Sequence, residues 1–94
     1  MWTEEVSYIL KKELLDIINK AKNFGLPEKD ISNAIEFLKY GEFGLCLETV
    51  VVQLFEYDIK IDEDFFEMVA YAASKMKLTE KDYLFLKQLI ITGW

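Results

Sequence analysis

The chain has no arginine and no histidine among its 94 residues. Without histidine, a catalytic triad, a histidine general base and a histidine-ligated zinc site are all excluded. Without arginine, there is no planar fork to grip a phosphate or a guanine edge through two parallel hydrogen bonds. Cysteine occurs once, at Cys46, so no disulfide can form within the chain and a disulfide-framed secreted domain is excluded. Long apolar runs are also missing, and none approaches the length that crosses a bilayer. The opening Met1-Trp2-Thr3-Glu4-Glu5 lacks the basic and apolar regions of a signal peptide. These absences place the expected protein in the cytoplasm, with no membrane partner.

What is present is apolar and acidic. Hydrophobic residues make up 52% of the chain and aromatics 15%, too much apolar surface for a disordered polymer. The length fits one domain, residues 1–94, with one core. Seventeen acids outnumber eleven lysines, for a formal net charge of −6. That balance argues against a duplex nucleic acid partner and for a positively charged one.

Apolar spacing predicts an all-α fold, a small single-domain bundle of about five helices. Thr3 can cap the first, with Glu4 and Glu5 in the turn where the helix dipole favours negative charge. Val6, Ile9, Leu10, Leu14, Ile17, Ile18, Ala21 and Phe24 then form one stripe, which Gly25 ends. Pro27 suits the first position of a second helix, whose inward residues are Ile31, Ala34, Ile35 and Leu38. Gly41 closes it, and Gly44 opens a third helix from about Leu45 to Tyr57. Leu47, Val50, Val51, Leu54 and Phe55 give that helix its buried side, so it is expected at the centre of the bundle. Cys46, at its start, is expected as a small core residue.

Asp58-Ile59-Lys60-Ile61 alternates polar and apolar residues, as a short extended link does. Asp62 can cap a fourth helix on which Phe65, Val69, Ala72 and Met76 share a stripe widened by Phe66, Ala70 and Ala73. Thr79-Glu80-Lys81-Asp82 has the form of a capping box before a last helix carrying Tyr83, Leu86, Leu89 and Ile90, with Thr92-Gly93-Trp94 after it.

Tests for chemistry mostly fail. The window from Asp58 to Val69 starts like a calcium loop, but Lys60 stands at its third position, Glu63 at its sixth and Val69 at its twelfth. No glycine-rich phosphate loop exists, because Gly41 and Gly44 lack a following lysine-serine or lysine-threonine pair. Asp62 and Asp64 could act as an acid–base pair in a cleft, although helix capping accounts for them more simply. No catalytic residue, metal ligand or cofactor is therefore expected.

Charge distribution is the signal that remains. Residues 41–77 hold eight acids and three lysines, whereas the segments on either side are nearly balanced. Glu56, Asp58, Asp62, Glu63, Asp64 and Glu67 fall within twelve residues and only Lys60 opposes them. Like charges crowded in this way repel one another and cost stability, a cost more readily understood if a basic partner covers them. Glu48, Val52 and Glu56 lie on one line of the third helix and extend the same edge. Tyr57 and Tyr71 are aromatic anchors beside it. These ten residues are the expected contact set.

The run Tyr40-Gly41-Glu42-Phe43-Gly44-Leu45-Cys46-Leu47-Glu48, with Gln53-Leu54-Phe55-Glu56-Tyr57-Asp58-Ile59 after it, resembles the MafI-type family of bacterial immunity proteins. Phe65-Phe66-Glu67, Ala73-Ser74-Lys75-Met76-Lys77-Leu78 and Leu86 to Ile90 continue the similarity, which spans about Ala34 to Ile90. The chain departs from the family at Cys46, where alanine is usual, and near Tyr83, where tryptophan is frequent. The resemblance implies a small helical protein made beside a secreted or contact-delivered polymorphic toxin. Such a protein binds the toxin's C-terminal domain, often a nuclease, and protects the producing cell without chemistry of its own. The expected partner is thus a basic toxin domain, and the free protein a monomer or weak dimer. Two rival expectations come from other classes. One is a helical adaptor or homo-oligomerising module using Val52, Phe37 and Phe43 as exposed contacts; the other is a metal-dependent enzyme using aspartate and glutamate.

Overall fold

Thr3 opens the helical part of the chain as its composition predicts: its Oγ1 accepts a hydrogen bond from the Val6 N–H at 3.1 Å. The computed structural model describes residues 3–91, so the expectations for Met1, Trp2 and Thr92-Gly93-Trp94 lie outside the described residues. Four α-helices follow one another: α1 Glu4–Phe24, α2 Glu28–Lys39, α3 Phe43–Glu56 and α4 Glu63–Lys75. Two short 3-10 segments, Glu80–Asp82 and Leu84–Leu89, complete this all-α fold. The molecule is elongated, with extents of 43 × 25 × 18 Å.

Each α-helix ends in the same way. Gly25, Gly41, Asp58 and Lys77 adopt φ of 117°, 74°, 53° and 60°, the left-handed region. The next residue then donates its N–H back to a carbonyl five positions earlier: Leu26 to Ala21, Glu42 to Phe37, Ile59 to Leu54, and Leu78 to Ala73. Leu26, Ile59 and Leu78 are apolar and pack on the core, so three of the four stops are also hydrophobic anchors. Glycine makes the reversal easily at Gly25 and Gly41. At Asp58 and Lys77 the chain makes it with a side chain present, which sequence reading did not foresee.

The core draws on every helix. Leu10, Leu14, Ile17, Ile18 and Ala21 of α1 meet Ile31, Ala34 and Leu38 of α2 together with Phe43, Cys46, Leu47, Val50, Val51 and Leu54 of α3. Phe65, Phe66, Val69, Ala72 and Ala73 of α4 join them, and Leu86 and Leu89 close one end. Helix α3 packs on α2, α1 and the second 3-10 segment, while α1 packs on all three other α-helices. The central position expected for α3 is therefore shared with α1.

Six expectations are corrected in detail. Ile9 is 41% exposed and Ile35 44%, because each stands on a polar line of its helix, Ile9 with Glu13, Asp16 and Lys20, and Ile35 with Glu28, Ser32 and Lys39. Phe55 is exposed too, covering the ring of Phe85 edge-on with centroids 5.1 Å apart. Pro27 caps α2 rather than occupying its first turn, and α3 begins at Phe43, which leaves Gly44 inside its first turn. The expected last α-helix is 3-10 instead. Leu86 and Leu89 are buried three residues apart, a spacing that eclipses side chains at three residues per turn. The capping box of Thr79 and Asp82 is present at its start.

The link between α3 and α4 is non-helical as expected, but its first residue, Asp58, belongs to the left-handed stop of α3 rather than to an extended stretch, and the link is anchored at Ile61. Ile61 is fully buried and pairs in parallel with Ile90. Its N–H donates to Leu89 at 3.0 Å, and its carbonyl accepts from the Ile91 N–H at 2.9 Å.

Candidate partner-binding surface

All ten expected contact residues are exposed: Glu48, Val52, Glu56, Tyr57, Asp58, Asp62, Glu63, Asp64, Glu67 and Tyr71. Several of them also have local duties. Asp62 Oδ1 accepts from the Phe65 N–H at 2.8 Å, so its carboxylate caps α4. Glu63 and Asp64 follow in the first turn, beside the positive end of the helix dipole. Asp58 ends α3 and meets Lys60 Nζ at 3.1 Å, a solvated pair of small energetic weight. The Tyr71 ring lies 4.3 Å from Lys75 Nζ. Glu56, Tyr57 and Glu67 have no comparable tie in the described hydrogen bonds and ion pairs, which leaves them open to contact from outside.

Lys75 connects this surface to α1. Its Nζ donates to Glu13 Oε2 at 2.8 Å, and that hydrogen bond is the main reason its pKa is raised from 10.5. Glu13 Oε1 is buried without a partner. Burial alone pushes the Cys46 thiol up to about 12. A thiol held protonated inside the core is not a nucleophile at neutral pH, and Cys46 is the core residue its position predicts.

A second feature lies between α2 and α3, where sequence reading placed only part of a surface. A groove of about 700 Å³ is lined by Asp30, Asn33, Glu36 and Phe37 from α2 and by Glu48, Thr49, Val52 and Gln53 from α3. The structure thus brings Glu48 and Val52 together with five polar residues that sequence reading missed, Asp30 among them. No residue of the 56–71 segment lines it. Asp30 is 4% exposed, and its Oδ2 is buried without a hydrogen-bond partner. The available signal was its register: Asp30, Ala34 and Leu38 fall on one line of α2, and the other two are core residues.

The contacts offered by the adaptor reading change as well. Phe43 is buried and Phe37 is half-buried against the core, so only Val52 of that trio is exposed. Among the described residues, no group of three or more acidic or thiol side chains is placed to hold a metal ion. No described helix is long and apolar enough to cross a membrane. Compared with known proteins, the chain matches no family model, no curated protein and no solved structure.

Proposed function

We propose that this chain is an immunity protein that binds a basic toxin domain and neutralises it by covering the surface that meets its substrate. The observation carrying this reading is a run of open acids: Glu56, Glu63, Asp64 and Glu67 stand exposed within one stretch of the chain, and Tyr57 in the same stretch is exposed as well. Exposed acids raise the rate at which a basic partner arrives, and aromatic side chains supply contact area once it has docked. The resemblance to the MafI-type family agrees with this chemistry, and inhibition by occlusion asks for no histidine base and no reactive thiol, of which the sequence has no histidine and a single cysteine buried in the core.

The test is protection. The C-terminal domain of a toxin encoded beside this chain is produced in a host, with and without the chain, and growth and complex formation are measured. Growth restored together with a one-to-one complex is the expected result. Absence of a complex between the two folded proteins would remove the immunity reading.

The adaptor reading keeps one observation in its favour, since Tyr8, Ile9 and Leu15 of α1 are exposed apolar residues. A stable dimer of the free protein in light scattering would support it.

A further inference from the structure

We infer that the groove between α2 and α3 is a socket for one basic side chain of a protein partner, with Asp30 as the residue that receives it. This inference rests on the reading of the chain as a binding protein for a basic partner and locates a contact that the acidic 56–67 segment does not supply.

Three observations carry it. The first is Asp30 Oδ2, buried and without a hydrogen-bond partner at the groove. Such a group is expensive to leave unmatched, and a charged donor from outside offsets that cost. The torsion that turns a carboxylate is soft, so a small rotation presents this oxygen to an incoming donor. The second is charge. Asp30, Glu36 and Glu48 line the groove and no lysine does, so its electrostatics favour a cation. The third is shape and lining. Phe37 and Val52 give an apolar surface for a methylene stem, while Asn33, Thr49 and Gln53 offer oxygen acceptors around a charged head.

A metal ion fits less well. No three acidic or thiol groups among the described residues converge as ligands, whereas a guanidinium or ammonium uses separated acceptors. Arginine is the better match for the planar carboxylate, because its fork donates two parallel hydrogen bonds.

The experiment is a chemical-shift titration of the full chain with acetyl-glycyl-arginyl-glycinamide, run beside the same peptide with citrulline, which keeps the shape and removes the charge. Saturable shifts at the amides of residues 30–37 and 48–53 are expected with the arginine peptide only, in the millimolar range typical of one charged contact. Asp30→Asn should weaken binding by about tenfold or more, and Glu48→Gln, on the opposite wall, by a smaller factor. Circular dichroism establishes that both variants keep their helices. Shifts with the citrulline peptide as well, no effect of either substitution, or shifts centred on residues 56–67 would each overturn the proposal. So would spermidine that binds tightly and excludes the peptide, since the groove would then serve a free polyamine. Asp30→Asn is also measured against the toxin domain. Toxin binding at parental strength would refute the socket and leave the immunity reading standing, whereas peptide binding without toxin binding would do the reverse.

Discussion

The ammonium of Lys75 is held between two elements, donating to Glu13 of α1 at 2.8 Å while lying 4.3 Å from the ring centroid of Tyr71 in its own helix. The pair is unequal. If Glu13 is lost, Lys75 can swing into water, but if Lys75 is lost, Glu13 keeps one oxygen already buried without a partner and loses the partner of the other. Lys75→Met should therefore destabilise the fold more than Glu13→Gln, and urea unfolding of both variants checks the order.

Leu54→Ala should cost about 2–5 kcal/mol in the same assay, since Leu54 is fully buried in α3 and the change opens a cavity. A neutral result would mean that α3 contributes little to the core.

Alkali should unfold the protein in a way that depends on Cys46. Its thiol is protonated up to about pH 12 in the fold, against a usual value of 9.0. Between those values the unfolded chain binds fewer protons than the native one, so stability falls as pH rises. Below pH 9.0 both states are protonated and the effect vanishes. Cys46→Ala removes up to about 1.4 kcal/mol per pH unit of that slope. The cavity it opens lowers stability at every pH and so changes the offset rather than the slope. Lys75 loses its own contribution in the alkaline range as it deprotonates above 10.5, equally in both proteins.

Two substitutions of opposite kind should each stabilise. Lys77 adopts a φ of 60°, where a side chain costs energy, and Lys77→Gly should gain roughly 0.5–1 kcal/mol. Gly44 is in the first turn of α3 with open space where a Cβ would stand, and Gly44→Ala should gain a similar amount, about 0.5–1 kcal/mol. Thermal unfolding midpoints above the parent's confirm either one.

Reversing Glu63, Asp64 and Glu67 to lysine should slow association with a basic toxin domain by about tenfold and flatten its salt dependence. Asp62 is spared because it caps α4. The matched control reverses Glu4, Glu5 and Asp16, which repeats two first-turn charges and one mid-helix charge on α1. Glu13 is spared there because it holds Lys75. Equal slowing by both sets would mean that net charge, and not the edge, attracts the partner.

The fold was legible where one residue type settles one feature. Thr3 and Asp62 cap, Gly25 and Gly41 turn left-handed, and the inward leucines keep helical register. It was not legible at Asp58 and Lys77, where the same turn is made without glycine and tertiary docking of Ile59 and Leu78 decides the stop. Ile9 and Ile35 misled because hydrophobicity does not say which of two adjacent helix lines meets a neighbour. The exposed acids could be read from their density along the chain. Asp30 had only its register with Ala34 and Leu38 to mark it, since its isolation depends on α3 lying across it, and an acid in the first turn of a helix ordinarily reads as dipole compensation.

The pairing of Ile61 with the segment from Leu89 to Ile91 gives the chain an order of completion. A ribosome delivers Asp58 through Asp64 about thirty residues before it delivers their clasp. Until then the amide of Ile61 has no acceptor from its eventual partner, and the acidic link hangs from the end of α3 without its second tether. The acidic link is thus among the last parts of the molecule to take shape, and nascent chains shorter than 91 residues would present its charges but not its form.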